Sequence, residues 1–160
     1  MELSDKGTQV LVDREGLALE AYQDSEGYWT IGVGHAETSG RPPIPCEGMT
    51  ITEDQALAIF DEDNDVSEAA VAEAITRNMQ QHQLDAFVSI CHNIGESAFR
   101  GATFVERFNA HASDAEVVEA ILWWDEPPEI VSRRQGEAVQ FRDAVYVARI
   151  HKMPPPRDMS

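Results

Sequence analysis

Glu15, Asp24 and Thr30 are the residues whose types and spacing could do chemistry together. Tyr22, Tyr28, Trp29 and the glycines Gly27, Gly32 and Gly34 stand among them. Cleaving a glycosidic bond needs a protonated acid on the leaving oxygen. It also needs a second group on the far side of the sugar, either a nucleophile or a base that activates water. Glu15, flanked by Gly16 and Leu17, is suited to hold a proton, and Asp24, in a polar turn, to act as the second carboxyl group. The chain holds 29 acidic residues, so spacing alone does not single out this pair. Thr30 on its own needs no more explanation than the strand preference of threonine.

The elements that must position these residues are legible around them. Residues 5–15 read as a short helix with Val10, Leu11 and Arg14 at helical spacing and Gly16 as its C-cap. Glu15 then lies at the helix C-terminus, where the dipole disfavours a carboxylate. Residues 19–35 carry turn formers (Asp24 to Gly27) between Tyr22 and the run Tyr28 to Ile31, a strand–turn–strand signal. Residues 36–51, rich in proline and glycine, read as a loop. Thr52 with Gln55 forms a capping box that opens a helix running as far as Ile75, with a break near Asn64 as the alternative.

Beyond residue 80 the pattern is helical throughout. Leu84, Phe87, Val88 and Cys91 share one face, and Gly95 ends that helix. Thr103 starts a short helix, Ser113 with Glu116 caps another that stops at Pro127 and Pro128, and residues 129–149 read as the last. The adjacent Trp123 and Trp124 face different ways on a helix, so at least one belongs to the core. The expected architecture is α+β: a small hairpin-bearing lobe (13–60), a larger all-helical lobe (76–150), a long helix joining them and a flexible tail (153–160). A cleft between two such parts is a common ligand site.

The bulk numbers limit the functions. Twelve basic and 29 acidic residues give a net charge of −17, the wrong sign for nucleic acid or an anionic membrane surface. An acidic surface that keeps the protein soluble accounts for it. Hydrophobic residues make up 42%, enough for a real core in a single domain of 160 residues. Cys46 and Cys91 are read as free thiols. The N-terminal MELSDKGTQV lacks a basic region followed by an apolar one, so no signal peptide is expected. No run approaches the ~18 apolar residues of a membrane span. The acidic run Asp61–Asp65 fails as a calcium loop, because Val66 and Ala72 stand where glycine and glutamate are needed, and it reads as a solvated helix face. No His/Cys cluster has zinc spacing, and neither metal nor cofactor is expected.

Three blocks carry a resemblance. The first runs from Glu15-Gly-Leu through Ala21-Tyr-Gln-Asp24 to Trp29-Thr30-Ile-Gly-Val-Gly-His35. The second is Gln83-Leu-Asp-Ala-Phe-Val-Ser with Asn93-Ile-Gly and Ala98-Phe-Arg-Gly-Ala-Thr103. The third is Trp123-Trp124 followed by Arg133-Arg134 and Glu137. In this order they resemble the phage lysozymes, the endolysins of glycoside hydrolase family 24. The resemblance implies a lysozyme-like fold and hydrolysis of the β-1,4 link between N-acetylmuramic acid and N-acetylglucosamine in peptidoglycan.

It also implies roles. Glu15 matches the general acid, Asp24 the second carboxylate and Thr30 the hydroxyl that positions water, in a single displacement with inversion. His35 matches a histidine beside the cleft, for substrate contact or for a structural pairing with a carboxylate. His92 and Asn93 fall where the helical lobe is expected to face the sugar chain. Arg133 or Arg134 is expected to support Glu15. The partner is then a glycan strand, the chain a monomer, and its route to the wall a holin-like pore or delivery by a particle. The rivals are a non-cleaving peptidoglycan-binding module and a lytic transglycosylase.

Overall fold

The computed structural model describes residues 1–156. The tail residues 157–160 lie outside the described residues. The chain divides into two compact units, Glu15–Asp65 and Met1–Arg14 with the residues from Val66 onward.

The smaller unit is built on a three-stranded antiparallel sheet, β1 (Ala18–Gln23), β2 (Trp29–Gly32) and β3 (His35–Ala36), in that order. Tyr22 pairs with Thr30, and Thr30 with Ala36. Between Ala18 and Tyr22 the register shifts, and an irregularity of this kind bends a strand and re-aims its side chains. The loop after β3 is more ordered than its composition implies. Glu37–Ser39 makes a 3-10 turn, and residues 49–51 bond along β1 through Ala21 N–H to Met49 O and Ile51 N–H to Leu19 O, both 2.9 Å.

Preceding the sheet, α1 (Asp5–Glu15) ends where Gly16 turns left-handed, at φ 77°. Helix α2 (Glu53–Ala74) opens on the expected capping box, with Gln55 N–H bonded to Thr52 Oγ1 at 3.1 Å and Thr52 N–H to Gln55 Oε1 at 2.9 Å. It runs without a break at Asn64. At roughly 1.5 Å per residue it is about 33 Å long.

The larger unit surrounds α3 (Gln81–Ile94). Every residue from Leu84 to Cys91 is buried, so this helix lies at the centre rather than at the edge of its unit. Phe87 is the hub. Its ring lies 5.2–6.1 Å from those of Phe108, Phe141, Phe99 and Phe104, in the separation range where aromatic pairs gain beyond simple burial. Around it stand α4 (Glu96–Arg100), α5 (Thr103–Asn109), α6 (Asp114–Leu122) and α7 (Val131–Asp143). Helix α4 departs from the expected pattern: Gly95 ends α3 and a new helical turn begins directly after it. Trp124 packs on the core and Trp123 is exposed, its ring stacked under the Arg107 guanidinium.

The last helix departs from the expected 129–149. It stops at Asp143, and Ala144 adopts a left-handed φ of 58°. Residues 144–150 turn back, and Ile150 N–H bonds to Ser132 O at 2.9 Å. Apolar residues at 145, 147 and 148 imitate a helical stripe, but the backbone carbonyls of Val147 and Ala148 are claimed by Arg14. The tail beyond is tied at its start, where Arg142 donates to Pro154 O at 2.8 Å. Among the described residues no helix is long and apolar enough to cross a membrane, and no group of acidic, histidine and cysteine side chains could hold a metal ion. Cys46 and Cys91 are free thiols.

Candidate active site

Asp24 is held by its own turn. Its backbone N–H bonds to Tyr28 O at 2.8 Å, closing the β1–β2 hairpin. Its Oδ1 accepts two backbone N–H bonds, from Glu26 and Tyr28, each 2.9 Å. An aspartate that caps its own turn in this way is fixed in rotamer by local geometry. Its other oxygen, Oδ2, has no protein hydrogen bond among the described residues.

Strand parity then sets the site's face. Tyr22 and Asp24 are two residues apart and share a side, and Tyr22 stands directly opposite Thr30. Tyr22, Asp24 and Thr30 therefore present to one face of the sheet. Thr30 is 5% exposed and donates from Oγ1 to Tyr28 O at 3.3 Å, which leaves the oxygen's lone pairs free to accept.

Glu15 comes to the same region through Gly34. A Cβ built on Gly34 would lie 2.5 Å from Glu15 Oε2, so the carboxyl rests against the bare backbone between β2 and β3. Gly34 also has φ 67°, so a side chain there would be strained as well as obstructive. The phenol of Tyr22 is pushed above its usual range by partial burial, then by the charges of Glu15 and Asp24. One hydroxyl thus lies within electrostatic reach of both carboxyl groups. Tyr22 joins this group of candidates, and its place two residues before Asp24 in the strand is the sequence signal for it.

His35 does not occupy a substrate-facing position. It is 2% exposed, with Nδ1 2.8 Å from Asp63 Oδ2 and Nε2 2.9 Å from Pro43 O and 3.2 Å from Arg41 O. Both ring nitrogens are engaged, leaving none for a sugar. Every partner is an acceptor, so the site favours protons on both nitrogens, the imidazolium form. The hydrogen bond to Asp63 raises the pKa of His35 against the opposing effect of burial. Burial pushes Asp63 up, but the bonds and charges of His35 and Arg41 bring it below its usual value. Asp63 corrects the solvated-face reading of residues 61–65, since it and Asn64 are each 4% exposed.

The sign of the pH effect follows. A raised histidine stabilises the fold fully below about pH 6.5 and loses that contribution as pH rises through its folded value. A depressed aspartate stabilises above its ordinary value near 3.8 and loses the contribution as pH falls through its folded value. Urea unfolding is therefore expected to show stability declining from pH 6 toward pH 9. A His35→Gln variant should be less stable at pH 6 and flatter across that window; an unchanged slope would count against the imidazolium.

The remaining site expectations fall in the helical unit. Arg133 and Arg134 are buried and share Glu137, Arg133 Nε with Oε2 at 3.3 Å and Arg134 Nη1 with Oε1 at 2.5 Å. Arg134 Nη2 also donates to Asn93 Oδ1. The Gly95 N–H closes that helix on Cys91 O. His92 is half-buried on the same helix. Unforeseen in this set is Arg14, 3% exposed, which donates to Ser89 Oγ at 3.0 Å and Gln140 Oε1 at 2.8 Å.

Comparison with known proteins places the chain in a family. The phage lysozyme family profile matches residues 12–137. The endolysin of Salmonella phage P22 is 34% identical over 144 residues, covering 88% of this chain and 98% of its own. Among solved structures, an endolysin from Escherichia coli O157:H7 phage FAHEc1 superposes with a TM-score of 0.83 at 37% identity, covering 91% of this chain and 96% of that one. The muramidase domain of SpmX from Asticaccaulis excentricus gives 0.75 at 29% identity, covering 88% and 97%. With its hairpin carboxylate, its glutamate at a helix end and a match over most of its length, the chain belongs to the phage lysozyme family and is a muramidase of the endolysin type.

Proposed function

We propose that this chain hydrolyses the β-1,4 bond between N-acetylmuramic acid and N-acetylglucosamine by single displacement with inversion. Glu15 donates its proton to the leaving oxygen. Asp24 Oδ2 accepts a hydrogen bond from the attacking water and takes that proton as the new C–O bond forms and the glycosidic C–O bond breaks, while Thr30 Oγ1 accepts the water's other hydrogen. The observation that carries this reading is the division of labour at Asp24: Oδ1 is spent on two backbone N–H groups, while Oδ2 is left for water. A carboxylate so pinned is a better water holder than a nucleophile, which must swing toward the sugar carbon. The two carboxyl groups are expected to stand roughly 6.5–9.5 Å apart, against about 5 Å for a covalent route.

His92 and Asn93 are assigned to glycan contact, and Arg133 and Arg134 to a supporting role. The chain acts as a monomer and reaches the wall through a holin-like pore or aboard a particle, ending in lysis of the host. Digestion of purified walls tests the reaction. Turbidity should fall, the new muramic acid ends should be reducing, and NMR taken early should show the α anomer. Anhydro ends would mean a transglycosylase, the β anomer a covalent intermediate, and binding without clearing a non-cleaving module.

A further inference from the structure

Helix α1 is gripped at its last turn by the segment that follows α7. After Ala144 the chain runs back across Gly136, where a Cβ would lie 2.7 Å from Ala148 O and 2.9 Å from Val147 O. Glycine inside a helix is unfavourable by roughly 0.5–1 kcal/mol relative to alanine. Its presence in α7 is explained by this backbone approach. Two arginines then cross between the segment and α1. Arg14 donates to Ala148 O at 3.2 Å and Val147 O at 2.9 Å. Arg149 returns the contact, with Nη2 2.8 Å from Arg14 O and Nη1 3.5 Å from Asp13 O.

The carbonyls chosen are significant. The last carbonyls of a helix have no partner within it, and those of Asp13 and Arg14 are among them in α1. A cation there satisfies them and complements the negative end of the dipole. Arg14 is bonded directly to Glu15, the final residue of α1. A frayed last turn would move the Glu15 backbone, and displacements near 1 Å can reduce a rate by about 10²-fold.

We propose that residues 144–150 form a strap that positions the acid, with Arg149 as a positioning residue that caps the turn carrying Glu15. The inference rests on Glu15 being the general acid. It predicts an effect on catalysis rather than on substrate affinity, because the acid acts only in the transition state.

Steady-state kinetics on soluble peptidoglycan fragments, well below the melting temperature, test it. Arg149→Gln is expected to lower kcat about tenfold with KM unchanged, and Arg149→Lys to restore most of the loss. Amide exchange over residues 10–16 should quicken in Arg149→Gln while that of α3 does not. Gly136→Ala, which displaces the strap from the other side, should reproduce the fall in kcat. Arg142→Gln removes a contact to Pro154 outside the strap and should leave kcat alone. The proposal is overturned if Arg149→Gln keeps wild-type kcat, if its kcat falls without faster exchange in α1, or if Arg142→Gln falls equally. Glu15→Gln separates the two ideas: an active variant ends the acid assignment, whereas an inactive one beside a fully active Arg149→Gln ends only the strap.

Discussion

Glu15→Gln is expected to reduce wall clearing by about a thousandfold, within the 10²–10⁴ range of general acid catalysis, while the protein melts at nearly its normal temperature. The amide keeps the size and hydrogen-bonding outline of the carboxyl group. It cannot release a proton, so the sugar hydroxyl would have to leave as an alkoxide. Stability should hold because Glu15 is only half-buried at the end of α1, and because the glutamine fits the same space against the bare backbone of Gly34. Turbidity of purified walls gives the rate and circular dichroism the melting point. A variant that retains a tenth of the wild-type rate would remove Glu15 from the acid role.

Much of this site was legible because its signals are local. The Asp24–Gly27 turn, the hairpin pairing of Tyr22 with Thr30, and the Gly16 stop are set within a few residues of themselves. The capping boxes at Thr52 and Ser113 are likewise local, and both helices start where those boxes place them. What was not legible depends on partners far away in sequence. Asp63 is one residue of an acidic run until His35 meets it, 28 positions earlier. Arg14 seemed an ordinary member of a helical stripe, yet its acceptors lie 75 to 134 residues on. A charged residue sharing the spacing of Val10 and Leu11 was the clue to its burial. The premature end of α7 had no local cue either, since Ala144 is a strong helix former by propensity, and the close backbone contact at Gly136 overrules it.

The same distance dependence governs Glu137, the residue whose loss should do most damage to the fold. It is completely buried. Oε2 accepts from Ser89 Oγ at 2.5 Å and from Arg133, and Oε1 accepts from Arg134. Burial alone would push its pKa up, but the charges of Arg133, Arg134 and Arg14 outweigh burial and hold it below its usual value. The reverse pressure is visible on Arg14, whose own pKa burial brings down to about 10 even though Glu137 opposes the shift. Glu137→Gln keeps the shape and removes the anion these three guanidinium groups share. Breaking a buried pair in this way is typically destabilising by about 3–5 kcal/mol, a large part of the ~5–15 kcal/mol that holds a domain folded. At roughly 2–4 °C per kcal/mol for a chain of this size, melting should fall by about 6–20 °C. Acid should act in the same direction on the wild type. A depressed carboxylate stabilises above its ordinary value near 4.5 and loses that contribution as pH falls through its folded value. The wild-type advantage over Glu137→Gln should therefore be largest near neutrality and shrink below pH 4. A variant within 1 kcal/mol of wild type at pH 7, measured by urea unfolding, would mean that the arginines do not depend on this carboxylate.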